Sequence, residues 1–384
     1  MWYIKQRLSA FDEHPSLLPR ISEIEVEMKR IPYSDHIRRE LQPRTTLIVS
    51  AILQKASHMP RLHTARFSGV TMKQEHLALL FQSNNLQTLI LYQCYLPRLV
   101  RLPPSSIRHL TLSLIQSEWQ CIESFLGHCS ANLEALDFVG HLSQEPGSTR
   151  LPLFPKLRKL KFTENSGSIS HLDTLTSLAP QLEHLELEER NRFHGLSALP
   201  ASLNRLSISQ WTIETGDFGT RPFVQLLHLH LTFYNHDSRR GFVIPIIHNT
   251  FPNLTRLHVD IDDHSCNFVL LLARTLPNVT WLKLGISGAP LSLNYDYDTS
   301  LYTAETHGGP LASLHVNMVL NGEKHGMELY KKWVIHTVLG PTVGLGGPHL
   351  QEVEVEFLTP DTSAVPVALW CWKQVEKEWV FNQY

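Results

Sequence analysis

The stretch Leu86–Leu96, LQTLILYQCYL, decides the fold class of this 384-residue chain. It matches the pattern L-x-x-L-x-L-x-x-C-x-L in full, with Cys94 at the ninth position. In a strand of this pattern the middle leucine enters the core, and the two residues that flank it point to the opposite face. The cysteine side chain is then available to satisfy the backbone of the turn that follows. The stretch therefore predicts the strand and turn of one repeat unit.

The apolar triple that opens this stretch recurs along the chain, and the unit at Leu62 is the one imperfect copy in its regular part. The triples begin at Ile21, Leu62, Leu86, Ile107, Leu133, Leu157, Leu182, Leu203, Leu226, Leu254, Val279, Leu311 and Leu350. From Leu62 to Val279 the steps are 21 to 28 residues, and the last two steps are 32 and 39. Regular spacing of this kind indicates a true repeat rather than chance.

Proline supports the repeat independently of the leucines. It stands two residues before the first apolar position in seven units, at Pro19, Pro60, Pro155, Pro180, Pro252, Pro277 and Pro348. Proline cannot continue a helix and favours an extended conformation before it, so it ends one element and leads into the next strand. The period is that of leucine-rich repeats, and the sequence predicts an α/β solenoid of that type. Such a horseshoe has a concave parallel sheet, with helices or irregular segments on its convex side.

Several segments between the strands carry apolar residues at helical spacing. These predicted helices are Lys73–Ser83, Glu118–Cys129, Ser170–Leu178 and Cys266–Leu276, with a further helix at Thr46–Lys55 after a basic loop that contains Arg38, Arg39 and Arg44. Two connections are too polar and too rich in glycine for a helix, and irregular structure is expected there. They are Asn191–Leu199 and Thr212–Arg221.

The regularity of the repeat divides the chain into four regions. Residues 1–61 are an N-terminal capping region with an irregular first repeat, and residues 62–284 are the regular array. Residues 285–310 are a long insertion, either a binding loop or a partly disordered segment. Residues 311–384 are irregular C-terminal repeats and a capping helix. That helix is predicted over Val367–Phe381 from its helical spacing, with a docking site for a partner helix as the alternative.

The residues that flank each middle leucine are expected on the concave face. In the units that begin at Leu203 to Val279 they form a basic, histidine-rich patch with one aromatic residue. The patch consists of Arg205, His228, His230, Arg256, His258, Trp281 and Lys283. Arginine binds carboxylate or phosphate through two parallel hydrogen bonds, and tryptophan supplies an apolar anchor. The patch predicts a site for an acidic or phosphorylated peptide, and the alternative is an ordinary solvated sheet face.

The units at the two ends of the repeat are acidic instead. Their flanking residues are Glu23, Glu25 and Glu27 at one end, and Glu352, Glu354 and Glu356 at the other.

Metal binding and catalysis find less support in the sequence. His228, His230 and His258 are expected to lie close together with Asp260 nearby. Side chains on a flat strand splay apart rather than converging on a tetrahedral ion, so neither a metal nor another cofactor is predicted. The motifs of serine hydrolases, phosphate loops, zinc proteases and dinucleotide-binding folds are absent from the sequence. We therefore expect a protein that is not an enzyme.

The composition restricts the class of partner. The formal net charge of -2 gives no overall attraction to nucleic acid or to an anionic membrane. The five cysteines are odd in number and form no C-x-x-C pair, which indicates reduced thiols in the cytoplasm or nucleus. The N-terminus has no apolar signal region, and no run is long enough to span a bilayer. The sequons at Asn253 and Asn278 are expected to be buried rather than glycosylated.

Four short stretches carry a family resemblance. They are FPKLRKLKF (Phe154–Phe162), APQLEHLEL (Ala179–Leu187), FPNLTRLHV (Phe251–Val259) and LPNVTWLKL (Leu276–Leu284). They resemble the leucine-rich-repeat region of F-box proteins, particularly the large fungal set. The opening LSAFDEHPSLLPRISEIEV (Leu8–Val26) looks like the segment that follows the F-box in such chains.

The resemblance implies a non-catalytic protein-protein interaction module. In this family the repeats recognise the targets of ubiquitin ligases, so cullin-type ligase subunits are implied as partners beside the target itself. The chain has no recognisable F-box before its repeats, which departs from the family pattern. The alternative is a stand-alone scaffold or receptor with no ubiquitin-ligase role.

Overall fold

The structure is a computed structural model of the chain. It describes residues 13–27, 35–56, 58–98, 102–103, 105–113, 115, 117–139, 152–163, 170–171, 178–188, 193–194, 199–209, 222–233, 247, 249–261, 276–287, 310–319, 331, 335, 339, 349–358, 368–375 and 378–383. The chain divides into two compact units, residues 1–186 with 198–202 and residues 187–197 with 203–384. Each unit is a parallel-sheet solenoid.

The first unit is built on seven parallel strands that follow one another across the sheet in chain order. Its strands are β1 Glu23–Glu27, β2 Thr64–Ser68, β3 Thr88–Tyr92, β4 His109–Ser113, β5 Ala135–Val139, β6 Lys159–Thr163 and β8 His184–Glu188, and the unit boundary falls within β8. The two-residue strand β7, Ser170–His171, lies outside this sheet. Strands β2 to β6 are in direct register, so the middle residue of each lies beside the middle residue of the next. These middle residues are buried, as the leucine pattern predicted.

Helices occupy some of the connections in this unit. They are a 3-10 helix at Pro15–Arg20, α1 at Asp35–Ala56, α2 at Gln74–Gln82 and α3 at Trp119–Cys129. The predicted helices at Lys73–Ser83, Glu118–Cys129 and Thr46–Lys55 are confirmed. The predicted basic loop is wrong, because α1 begins at Asp35 and includes all three of its arginines. Of the other two predicted helices, Ser170–Leu178 opens with strand β7 instead, and residues 266–275 lie outside the described part of the chain.

A buried histidine joins α1 to α2. His76 is 1% exposed, and its Nδ1 accepts a hydrogen bond from the Lys73 backbone N–H at 3.2 Å. Its Nε2 lies 2.7 Å from Ser50 Oγ, which in turn donates to the Thr46 carbonyl at 2.9 Å. This chain of donors fixes the neutral tautomer with the proton on Nε2. Burial first, and then the charge of Lys73, lowers the pKa of His76 below its ordinary value.

The cysteine of the repeat pattern satisfies backbone groups, as predicted, but they belong to residues before it and not to the turn that follows. Cys94 is fully buried, and its Sγ donates to the Phe67 carbonyl of the preceding unit at 3.3 Å. Burial raises the pKa of this thiol to about 11, so it stays protonated and can donate. The turn that carries it is tight, since the preceding Gln93 adopts a φ of 53°. The hydrogen bond ties one repeat to the next.

A second tie between repeats was not predicted. The residue just before the first apolar position donates its side chain to a backbone carbonyl of the preceding unit. The asparagines that do so are Asn85, Asn132, Asn253 and Asn278, with donor–acceptor distances of 2.5 to 2.9 Å, and Ser106 and Ser202 do the same through their hydroxyls. The two sequon asparagines are therefore exposed and hydrogen-bonded, and the expectation that they are buried is wrong.

The second unit repeats the parallel arrangement with longer strands. After the two-residue β9 at Phe193–His194, its strands are β10 Arg205–Ser209, β11 His228–Phe233, β12 Arg256–Ile261, β13 Trp281–Ser287, β14 Ser313–Val319, β15 Glu352–Leu358, β16 Ala368–Val375 and β17 Glu378–Gln383. Strands β10 to β15 are parallel and in direct register. Their middle residues are at most 2% exposed, and burial of one such leucine contributes about 1.5–3 kcal/mol.

The predicted C-terminal capping helix is wrong. Residues 368–375 and 378–383 form strands β16 and β17, and both are antiparallel to their neighbours. The helical spacing of apolar residues was overridden because β16 satisfies the backbone hydrogen-bonding groups along the free edge of β15. Trp370 and Trp372 are buried there, and the Trp370 ring centroid lies 4.6 Å from that of Phe357.

The predicted insertion meets the structure only in part. Strand β13 continues to Ser287, so the predicted insertion over residues 285–310 opens with three residues of strand, and residues 288–309 lie outside the described ranges.

Across the part of the chain that the structure describes, no helix combines the length and apolar character needed to cross a membrane.

Candidate functional site

The direct register of β10 to β14 arranges the predicted patch in rows. The arginine row contains the first flanking residue of each strand from β10 to β13, namely Arg205, His228, Arg256 and Trp281. The histidine row contains the second, Ser207, His230, His258 and Lys283. A third row follows two residues later, with Thr232, Asp260, Gly285 and Asn317. All seven predicted residues therefore lie on one face of one unit, opposite its buried leucines.

The arginine row is the cationic part of this face. Arg205 and Arg256 are exposed, and the half-buried His228 lies between them on the intervening strand. Adjacent strands are about 4.8 Å apart, so the two arginine backbones are separated by about 10 Å. Burial, followed by the charges of the two arginines, lowers the pKa of His228. The row thus carries two full positive charges around a neutral ring.

Trp281 ends the arginine row and contacts residues on both sides. The guanidinium carbon of Arg256 lies 5.9 Å from the indole centroid, within the range of a cation–π interaction. On the other side, the indole centroid lies 5.3 Å from the ring of His315. The tryptophan is half-buried, so one part of its ring is held by neighbours and another part is accessible.

The two histidines of the histidine row converge on one carboxylate. His230 Nε2 donates to Asp260 Oδ2 at 2.6 Å, and His258 Nε2 donates to Asp260 Oδ1 at 3.1 Å. The two imidazole rings stack with their centroids 4.0 Å apart and their planes 8° from parallel. Ser207 Oγ lies 2.9 Å from His230 Nδ1, which accepts its proton. We call Ser207, His230, His258 and Asp260 the Asp260 cluster.

The absence of a side chain at Gly285 explains this convergence. Gly285 lies directly beside Asp260 in the register of β12 and β13. A Cβ placed on Gly285 would overlap Asp260 Oδ1 and lie 3.0 Å from Cγ. The Asp260 carboxylate therefore occupies the space that a side chain at position 285 would take, and from there it reaches both histidines.

Asp260 supplies the negative charge of the Asp260 cluster. Burial opposes ionisation of Asp260, but the hydrogen bonds and charges of His230 and His258 outweigh it and hold the pKa of this carboxyl well below its usual range. The carboxylate is therefore anionic. The two histidines that the sequence assigned to a basic patch thus face a negative charge, and the other cationic side chains of the patch are Arg205, Arg256 and Lys283.

Lys283 is directed away from the cluster. In the amide orientation that gives both Asn317 groups a partner, Lys283 Nζ donates to the Asn317 oxygen at 2.9 Å and the Asn317 nitrogen donates to Glu356 at 3.1 Å. The acidic strand β15 forms the boundary of the face, with Glu354 3.7 Å from His315. The predicted acidic end of the repeat therefore lies on the same face as the basic patch within this unit.

Sequence reasoning missed Ser207 and Gly285 and gave Asp260 only as a neighbour. The signal that identifies them is the register itself. Once the strands are aligned on their middle leucines, a glycine falls opposite an aspartate in the third row, and a serine falls beside a histidine in the second.

The four cysteines that the structure describes show no sign of a nucleophile. Burial raises the pKa of Cys129 to about 12 and also raises that of Cys121 and Cys371. Thiols that stay protonated are poor nucleophiles, so these cysteines pack as small apolar groups.

Comparison with known proteins gives a distant structural likeness. No family model and no curated protein matches the chain. Among solved structures, the crystal structure of the Rad7 and Elc1 complex in yeast contains a similar chain. The two are 13% identical, the match covers 82% of this chain and 88% of that one, and the TM-score is 0.36. At this TM-score the likeness supports no inference about function.

Proposed function

We propose that the face formed by β10 to β14 is a non-catalytic protein-binding surface for an acidic or phosphorylated segment of a target protein. The arginine row is the observation that carries this proposal. Among the described residues, neither Arg205 nor Arg256 forms an ion pair, and both are exposed on alternate strands of the sheet. Two guanidinium groups placed in this way can both hydrogen-bond one carboxylate or phosphate that lies between them.

The neighbours of the two arginines fit the same ligand. His228 lies between them and its pKa is lowered in the free protein. An anion bound beside it would favour uptake of a proton from solvent, which would add a third positive charge. The accessible part of Trp281 offers an apolar surface next to the anion site, where the following residue of the target can pack. Phosphate is favoured over a single carboxylate, because it carries more charge and three acceptor oxygens.

We further propose that the repeats are leucine-rich repeats and that the surface serves target recognition in a cullin-type ubiquitin ligase, in the cytoplasm or nucleus. The four short repeat stretches that resemble F-box proteins support this narrower assignment. A stand-alone scaffold or receptor with the same surface is the second candidate. The two differ in whether ligase subunits accompany the target.

Affinity purification of the tagged chain, followed by identification of the bound proteins, tests both levels. Arg205→Ala combined with Arg256→Ala should lower recovery of the target at least tenfold, and phosphatase treatment of the lysate should do the same. Arg66→Ala is the matched control, because Arg66 also lies on a sheet face but already pairs with Glu23 at 2.7 Å. Unchanged recovery with the double variant would refute the arginine row as the binding site. Recovery of a cullin and its linker subunit would support the ligase assignment, and their absence beside an enriched target would support the scaffold.

A further inference from the structure

We propose that the Asp260 cluster binds a divalent transition-metal ion of the zinc class through His230, His258 and Asp260. The proposal is independent of the arginine row, which contributes no ligand. Two imidazoles and one carboxylate form a ligand set that zinc accepts in proteins, with a fourth position left for water.

The distances are close to those that a tetrahedral ion requires. One ligand atom from each residue can be chosen so that all three lie within 4.8 Å of one another. Bonds of about 2.1 Å to a tetrahedral ion place neighbouring ligand atoms about 3.4 Å apart. Shifts on the order of 1 Å, in which the two stacked rings tilt towards each other at their Nε2 atoms, therefore bring the ligand atoms to coordination distance. The expectation that flat strands splay such residues apart does not hold here, because Gly285 lets Asp260 lean across its neighbouring strand.

The hydrogen atoms of His230 can be rearranged so that its ring keeps a partner. Zinc must replace the Nε2 proton of each histidine, and a neutral ring can keep that proton by moving it to Nδ1. In His230 the new Nδ1–H would point at Ser207 Oγ, 2.9 Å away. A hydroxyl accepts as well as it donates, so Ser207 would hold the ring in either tautomer. This is the support that metal-binding histidines ordinarily have from a second residue.

The surroundings allow an ion to enter. The side chains of His230, His258 and Asp260 are 32%, 29% and 40% exposed, so solvent reaches all three. The two nearest cationic side chains have other partners, since Lys283 bonds Asn317 and Arg256 lies over Trp281. Neither is directed at the position that the ion would occupy.

The test is titration of the full chain, freed of metal with a chelator, with Zn²⁺ by calorimetry and with Co²⁺ by visible absorption. The wild-type chain should bind one equivalent and show the absorption of tetrahedral Co²⁺. Asp260→Ala and His258→Ala should each weaken binding at least tenfold. His228→Ala is the matched control, because His228 lies on the same strand as His230 but outside the cluster, and it should bind as the wild type does.

A second measurement keeps the result clear if a variant is less stable. Zinc should raise the unfolding midpoint of the wild-type chain and of His228→Ala, but not that of Asp260→Ala. The proposal is overturned if the wild type shows no saturable binding, or if the cluster variants bind as tightly as the control. Binding that survives Asp260→Ala but not His258→Ala would overturn the three-ligand site in favour of a pair of surface histidines.

Discussion

Replacing Gly285 with alanine tests the central geometric claim about the Asp260 cluster. The added Cβ would overlap Asp260 Oδ1, so the carboxylate has to rotate away from His230 and His258. Backbone movement is the other way to relieve the overlap, but β13 is held by parallel strands on both sides. The side chain of Asp260 is therefore the part that moves.

The expected cost follows from the hydrogen bonds that are lost. A hydrogen bond to a charged group contributes about 1.5–3 kcal/mol, and the partial exposure of Asp260 places each bond at or below the lower end of that range. Replacing glycine by alanine in a strand otherwise raises the free energy of unfolding by about 0.5–1 kcal/mol. Gly285→Ala should therefore lower the free energy of unfolding by about 1 kcal/mol. With Asp260→Ala already present, the overlap is gone, and Gly285→Ala should be neutral or stabilising by up to about 1 kcal/mol.

Urea denaturation of the four chains in this double-mutant cycle measures the difference. Tryptophan fluorescence is a suitable probe, because Trp281 lies on the same strand as Gly285. Circular dichroism on the same samples checks that the whole unit unfolds with the probe. An equal cost for Gly285→Ala in both backgrounds would refute the argument, since the cost would then not come from Asp260.

Three further predictions concern the ties between and within repeats. Because the pKa of His76 is lowered in the folded state, the folded state binds fewer protons at this group than the unfolded state does. The stability that His76 contributes above pH about 6.5 should therefore be lost as the pH falls through the lowered pKa of the folded state. His76→Gln should reduce this loss in urea denaturation at pH 7.5 and 5.5, and an identical pH dependence in both chains would contradict the assignment. Cys94→Ala should lower the unfolding free energy by about 1–2 kcal/mol, because it removes the bond to Phe67 and leaves a small cavity, while Cys94→Asn should cost less because the amide can donate in its place. Asn278→Ala should lower the free energy of unfolding by about 1 kcal/mol, measured by thermal denaturation. Asn278→Asp should lower it further, because a carboxylate would face the Pro252 carbonyl. Equal stability of the wild type and both variants would show that this hydrogen bond is unimportant.

The sequence predicted the strands well because a single buried residue decides each of them. The middle leucine at Leu229 or Leu282 has one solution, which is to enter the core, and its neighbours must then face the other way. The same reasoning failed at Trp370 and Trp372. Their spacing along the chain suits a helix or a strand, and the choice depended on the free edge of β15, which no local pattern records.

The candidate site was predicted by position but not by charge. The leucine register collected all seven patch residues correctly on one face. It did not predict how His230 and His258 would interact, because their partner Asp260 comes from a third row. The Asp260 carboxylate reaches them from the space that Gly285 leaves open. Side-chain direction over that distance follows from three-dimensional packing and not from periodicity.

The direct register of β10 to β15 has a consequence for how this protein can change. The starts of these repeats are separated by 23 to 39 residues, yet every first flanking residue still lies beside the next. A connection can therefore gain or lose residues without displacing the side chains on the face. Because the face and the core use alternate positions of each strand, a substitution such as one at Arg256 changes what the face recognises and leaves Leu257 untouched. Specificity and stability can accordingly evolve along separate sets of residues within the same strands.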